Sequence, residues 1–267
     1  MNPEQQPILS VRNVTKAFHP RGADPLQVIS DVSMDISRGE FVSIVGPSGS
    51  GKSTVMSMLA GLEEPDSGLM LAEGTATHGL SSHCAYMPQK DLLFPWHTIV
   101  GNAALALRLQ GRSRRRAESE VRDLLPTFGL EDFGDSYPWE LSGGMRQRAA
   151  LLRTVAIGRP ILLLDEPFGA LDYLTRTELQ MWLATTAHEQ GWTVVLITHD
   201  VPEAVLLSDR IYVLSQKPAV IDLVLDVGIP GKRTIDTLGH PDFARFEHIL
   251  LERLTAVGRG RPTATSV

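Results

Sequence analysis

Cysteine is nearly missing from the chain: Cys84 is the only one in 267 residues. That excludes a disulfide framework, fits a reducing compartment, and makes a small packed side chain the expected fate of the thiol. Long apolar runs are missing too, none approaching the roughly eighteen residues a membrane-spanning helix needs, so the chain is not expected to cross a bilayer by itself. Positive charge is not in excess. The 25 Lys and Arg stand against 31 Asp and Glu, a net charge of −6, which argues against a general nucleic-acid binder while leaving room for a local basic face. Met1 to Ser10 lack the basic start and apolar stretch of a secretory signal, so the chain reads as cytosolic. The rest of the composition, 43% apolar and 21% charged, is that of a soluble globular domain. The length suits one large α/β domain, or a core carrying a smaller insert.

Partial alternation of apolar and polar residues predicts strands at Ile8 to Val14 and Val28 to Ile36, and a short β-rich run predicts a buried strand from Phe41 to Val45. Lys52 to Leu62 reads as a helix with Val55, Met58, Leu59 and Leu62 on one face. Leu69 to Tyr86 suggests short strands and turns. Helices follow at Val100 to Gln110, at Arg116 to Leu125 and from Ser142. Strands return at Ile161 to Leu164, Thr193 to Thr198, Ile211 to Ser215 and Val220 to Val227, some of them continuous apolar runs of the kind buried on both faces of a parallel sheet. A helical insert, at about residues 91–157, therefore interrupts an α/β core. A last helix is expected from Pro241 to Leu254, with Phe243, Phe246, Leu250 and Leu254 on one side, and Gly258 to Val267 has the composition of a disordered end.

Gly46 to Ser53 fits the pattern Gly, four residues, Gly-Lys-Ser, after a predicted strand and before a predicted helix. In such a loop Gly46, Pro47, Ser48, Gly49, Ser50 and Gly51 turn tightly enough for the backbone amides to form an anion nest at a helix N-terminus. Lys52 adds a cation for the outer phosphates, and the Ser53 hydroxyl can ligate Mg²⁺. Asp165 and Glu166 end a buried strand, where open α/β sheets bind ligands. Asp165 would hold magnesium through water, and Glu166 would orient or deprotonate an attacking water. Taken alone, an acidic pair there is more often a cap or a turn. His199 ends another buried strand and could donate to a terminal phosphate; its plainer reading is a surface histidine, and Gln89 is equally weak alone. Ser142 is a good N-cap followed by Gly143 and Gly144, which expose backbone amides to an anion or simply ease a helix start. The chain has one phosphate loop, so a second anion-facing surface asks for a partner. Arg112 to Arg116, the one basic run, reads as a solvated helix start, with lipid headgroups or RNA as the other reading.

In order and spacing, Gly46 to Ser53, Gln89, Leu141 to Met145, Asp165 with Glu166, Ala170 to Asp172 and His199 resemble the nucleotide-binding subunit of ATP-binding-cassette transporters, over residues 8–230. The Leu141 to Met145 signature separates that family from other phosphate-loop ATPases. Tyr86 to Trp96, Tyr137 with Pro138, Asp165 to Asp172 with Thr175 and Arg176, and Thr198 to Asp200 followed by Glu203, Ala204 and Ser208 to Arg210 are similar to the nitrate, sulfonate and taurine importer subfamily. Ala149 to Thr154 departs from its commoner pattern and looks more like the thiamine-precursor branch. Ile229 to Arg233 departs from its usual C-terminal ending.

The resemblance implies an α/β P-loop NTPase core with a RecA-like mixed sheet, an N-terminal antiparallel β part and the helical insert, followed by a tail at 231–267. It implies ATP and Mg²⁺ as ligands and ATP hydrolysis that energises import of a small solute, or of a thiamine precursor. Two copies would meet head to tail, ATP on Gly46 to Thr54 of one facing Ser142, Gly143 and Gly144 of the other, with Asp172 reaching the opposing site. Gln89 would sense magnesium and water. Phe18 would stack on adenine, or serve as a core side chain. Leu92, Leu93, Phe94, Pro95 and Trp96 would dock a helix of a transmembrane permease, or pack inside the insert. A solute-binding protein is implied indirectly, no nucleic acid is expected, and the subunit would sit at the cytoplasmic face of the membrane. A soluble cassette ATPase acting on ribosomes or DNA is the reading from another class; it fits poorly with one cassette and no heptad array. A phosphate-loop kinase leaves Leu141 to Met145 unexplained.

Overall fold

The computed structural model describes residues 6–22, 24–76, 82–229 and 233–258. Along the chain the elements are β1 (Leu9–Phe18), β2 (Leu26–Ile36), β3 (Phe41–Val45), α1 (Lys52–Leu59), β4 (Ser67–Ala72), β5 (Thr75–Ala76) and β6 (Cys84–Met87). Then come α2 (Ile99–Leu109), α3 (Arg114–Leu124), α4 (Gly143–Ala156), β7 (Ile161–Asp165), α5 (Tyr173–Gln190), β8 (Thr193–Ile197), α6 (Val201–Leu207), β9 (Arg210–Leu214), β10 (Ala219–Asp226) and α7 (Pro241–Gly258).

The strands form one mixed sheet in the order β5-β4-β1-β2-β10-β9-β3-β8-β7-β6. From β9 to β6 the neighbours run parallel; from β5 to β2 they run antiparallel. β10 joins the halves, antiparallel to β9 and parallel to β2.

Burial on both faces accounts for the apolar runs. In β7, Leu162 and Leu164 enter one core cluster with α2, α3, α4 and α5, while Ile161 and Leu163 enter a second that holds α1 and the antiparallel strands. In β8, Val194 and Leu196 take the first side, Val195 and Ile197 the second, as the two-residue period of a strand requires. A third cluster joins α6 and α7 to β9, with Phe243, Phe246 and Leu250 buried and Leu254 packed against them, the face expected for the last helix.

Some elements differ from expectation. α1 stops at Leu59 because Gly61 adopts φ +72 and the Leu62 N–H returns to Ser57 O at 2.8 Å, so Leu62 is 65% exposed rather than on the inner face. Two helices, α5 and α6, carry no expectation from periodicity: the buried side of α5 mixes Gln180 and Thr186 with Leu179 and Leu183, which blurs its apolar stripe. Gly258, assigned to the disordered end, closes α7; residues 259–267 lie outside the described residues, as do 1–5 and 230–232. The basic run starts α3, where Arg114 and Arg116 pair with Glu118 and Glu120 one turn on and Arg112 also reaches Glu120, as a solvated helix start predicts. Cys84 is buried, and burial pushes its thiol up to about 12, the state of a packing group.

Candidate functional site

The ends of β3, β7 and β8 place the chemistry. After Val45 the chain turns through Gly46 to Gly51 into α1. Only glycine suits Gly51: its φ is +104, and an added Cβ would lie 2.9 Å from Val28 Cγ1 and Ile29 Cδ1. Lys52, 8% exposed, folds back over the loop and donates to Gly46 O at 2.8 Å and Pro47 O at 3.0 Å. Burial lowers its pKa, opposed by the charges of Glu166 and Asp165.

Asp165 ends β7 with its carboxylate accepting from the Tyr86 hydroxyl at 3.2 Å. Burial raises its pKa against that hydrogen bond, and the neighbouring Glu166 charge raises it further. Glu166 sits at φ +46, a conformation rare for a side chain with a Cβ, and its N–H is tied to Ile197 O of β8 at 2.9 Å. Its carboxylate accepts from Gln89 Nε2 at 3.0 Å and faces His199 Nδ1 at 3.2 Å. Gln89 follows β6 and His199 follows β8, so three strand ends converge on one carboxylate.

Residues Ser48 to Thr54, Glu166, His199 and Lys217 line a cleft of about 540 Å³. Sequence reasoning missed Lys217, which lies in the turn between β9 and β10, where a lone lysine before a proline has no spacing signal. The aiming of the Tyr86 hydroxyl at Asp165 was missed as well; the parallel pairing of Tyr86 with Leu163 creates it. Inside the loop, Ser50 Oγ is buried without a hydrogen-bond partner, a polar atom left for a ligand.

Other expected residues lie apart from this cleft. Ser142 caps α4, accepting from Met145 N at 3.3 Å, and Asp172 caps α5, accepting from Thr175 N at 3.1 Å. The two caps are neighbours: a Cβ on Gly143 would touch Leu171 Cδ2 at 3.5 Å, and one on Gly144 would meet Thr175 Cγ2 at 2.6 Å. Phe18 is half-buried at the end of β1, packed against the second core cluster, with Lys16 Nζ 5.6 Å from its ring centre. Phe18, Ser142, Gly143, Gly144 and Asp172 are not among the cleft-lining residues.

The segment after Gln89 is exposed but braced. Leu92, Phe94 and Trp96 stand open to solvent, whereas Leu93 is 8% exposed and belongs to the first core cluster, which removes it from the expected docking surface. The buried Asn102 side chain accepts from Phe94 N at 2.7 Å and donates to His97 O and Thr98 O, and Arg153 donates to Asp91 O and Leu92 O. No helix among the described residues is long and apolar enough to cross a membrane.

The family model described as ABC transporter matches residues 29–169. The chain is 40% identical over 251 residues to an aliphatic sulfonates import ATP-binding protein, SsuB 1 of Agrobacterium fabrum, covering 94% of this chain and 84% of that one. It is 38% identical over 241 residues to a nitrate import ATP-binding protein, NrtD of Synechocystis sp., covering 88% and 89%. Among solved structures it is similar to the dimeric post-hydrolysis state of the ATP-binding cassette MJ0796 bound to ADP and Pi, at 30% identity and TM-score 0.71, covering 83% of this chain and all of that one. With the phosphate loop, the strand-end carboxylates and the separate capped signature already in place, the chain belongs to the ABC transporter family.

Proposed function

We propose that this chain is the ATP-binding and ATP-hydrolysing subunit of an importer of the nitrate, sulfonate and taurine class, working as a homodimer on a membrane permease. The observation that carries the reading is the meeting of Gln89, Glu166 and His199 beside a phosphate-loop cleft whose lining does not include Ser142, Gly143 or Gly144. A cleft with one phosphate loop and a second surface of free helix amides complete each other between two chains, not within one. The names of the similar nitrate and sulfonate import proteins support the direction and the solute class.

In this reading Gly46 to Thr54 cradle the phosphates, the orphaned Ser50 hydroxyl and the Lys52 ammonium find their partners there, and Phe18 stacks on the base. Magnesium fits the donor set: the Ser53 hydroxyl, the Asp165 carboxylate and the Gln89 amide oxygen are hard oxygen donors, and Mg²⁺ is commonly held by one or two protein oxygens plus phosphates and water. Ser53, Asp165 and Gln89 would hold it, and it would neutralise charge on the phosphates. Glu166 orients the attacking water and takes its proton, with Gln89 and His199 fixing the carboxylate and His199 donating toward the terminal phosphate. Ser142, Gly143 and Gly144 of one chain close on the nucleotide of the other, and Asp172 lies at that junction. Residues 8–230 form the nucleotide-binding domain with 91–157 as an inserted helical subdomain, and Leu92, Phe94, Pro95 and Trp96 on that insert meet the permease at the cytoplasmic face of the membrane.

Glu166→Gln tests the assignment. Hydrolysis is expected to fall by about 10² to 10⁴, the usual scale for a positioned base, with ATP still bound; hydrolysis at the wild-type rate overturns it. Reconstitution with the permease and a solute-binding protein, followed by screening of nitrate, sulfonates, taurine and thiamine precursors for stimulated ATPase, identifies the solute.

A further inference from the structure

Directly behind His199 lies a carboxyl that the chemistry above does not use. Glu203, in the first turn of α6, is 4% exposed. It lies against the residues on both sides of His199: its N–H donates to Asp200 Oδ1 at 3.0 Å, and the Thr198 hydroxyl is near enough to favour its ionised carboxylate. Thr198 Oγ1 in turn accepts from Asp200 N at 3.0 Å, closing a small ring around the histidine. From α5, the buried Gln180 donates Nε2 to Glu203 Oε2 at 2.8 Å. Arg176 of the same helix brings Nη1 within 3.8 Å of Asp200 Oδ2 and donates Nη2 to Leu171 O at 2.8 Å, next to Asp172.

His199 itself is 67% exposed by its side chain, so packing does not hold it. A buried carboxyl whose hydrogen-bond donors are an amide and a hydroxyl is a poor stabiliser, and an apolar group of the same volume would cost less. Its arrangement around one exposed functional side chain gives it another purpose. We propose that Glu203 is a positioning residue for His199, fixing the turn from Thr198 to Asp200 and joining it through Gln180 to the helix that Asp172 caps. This inference rests on the reading of His199 as the group that meets the terminal phosphate.

The ionised carboxylate accepts from Gln180 and is favoured by the nearby Thr198 hydroxyl, whereas the protonated acid gives up part of that accepting capacity. Around it stand Arg176 of α5, which favours the charge, and Asp200 of the turn, which opposes it; Glu247 of α7 faces Asp200. Burial dominates and pushes Glu203 up to about 7, so the grip on the histidine turn tightens as pH rises through neutrality.

The experiment is steady-state ATPase of the full-length protein in its transporter complex between about pH 6 and 9, for wild type, Glu203→Gln, Gln180→Ala and His199→Ala. Glu203→Gln is expected to lower kcat by about tenfold at pH 8 with the ATP KM unchanged within about twofold, and to flatten the rise in kcat across neutrality. Gln180→Ala, which leaves the carboxyl in place, is expected to lower kcat in the same direction and decides the matter if Glu203→Gln does not fold. Wild-type kcat and pH profile in the Gln180 variant and in any folded Glu203 variant, with His199→Ala inactive, overturn the positioning role. His199→Ala at the wild-type rate overturns the reading of the histidine instead.

Discussion

Lys52 directs two of its three donors at loop carbonyls. With Gly46 O at 2.8 Å and Pro47 O at 3.0 Å it holds the loop closed, and its charge faces Asp165 and Glu166 across the cleft. Lys52→Ala is expected to weaken ATP binding by at least about tenfold, roughly 1.4 kcal/mol, measured by calorimetric titration; unchanged affinity would remove Lys52 from the phosphate site. Gly144 shows a different constraint. A methyl there would meet Thr175 Cγ2 at 2.6 Å, and a β-branched threonine cannot easily swing away. Gly144→Ala is expected to cost about 1 kcal/mol net, clash exceeding the gain in helix propensity, and Thr175→Ser in the same chain is expected to restore stability in urea melts. The glycines and Lys52 were legible because their residue types repeat a chemical pattern at fixed spacing, whereas the Asp165–Glu166 pair gained its reading from the company of that loop and His199 from the family resemblance. Lys217, Tyr86 and the mutual grip of Gln89 and His199 on Glu166 were not, since strand order alone brings them together.

Helices show how far a local pattern carries. α7 was readable from its apolar spacing, but what fastens it beyond Phe243, Phe246 and Leu250 is an ion pair between Arg253 and Asp222 of β10, with side chains only 17% and 14% exposed. Arg253 also donates to Asp222 O at 3.0 Å. Removing one partner strands a largely buried charge, so Arg253→Ala is expected to destabilise the fold by about 3 kcal/mol, read as a lower urea midpoint at unchanged m-value. A shift below about 0.5 kcal/mol would mean that the apolar face alone docks the helix. The same limit explains Leu62 and Leu93. Each fits an apolar pattern, yet the left-handed Gly61 turns one out to solvent, and the bracing of the Asp91 to Thr98 segment by Asn102 and Arg153 turns the other inward.

Across the whole molecule, stability is expected to respond to pH and assembly to nucleotide. Glu203 is held up to about 7 by burial, above its ordinary 4.5. The folded state therefore keeps a proton that the unfolded chain releases, and this contribution is full below about pH 4.5 and lost as pH rises to about 7. In Glu203→Gln, the part of the fall in Tm between about pH 5 and 7 that comes from this group is expected to vanish; an unchanged Tm–pH curve would place the proton elsewhere. If the phosphate-loop cleft of one copy pairs with the Ser142 cap of another, Glu166→Gln with ATP is expected to elute as a dimer in light-scattering chromatography, and without nucleotide as a monomer; a monomer under both conditions argues against the head-to-tail dimer. What the linear chain fixed is the set of short-range patterns: a loop that wraps phosphate, two carboxylates at a strand end, a capped signature and apolar runs fit for a covered sheet. Each needs only neighbours within a few residues, so spacing suffices to specify it. The interleaved strand order, which seats β3 between β8 and β9 and carries Gln89 and His199 to the same carboxylate, came from burying both faces of one sheet at once. That choice depends on contacts between residues far apart in the chain, such as the hydroxyl of Tyr212 on Asp35 O, 177 positions away, and only the folded chain makes them.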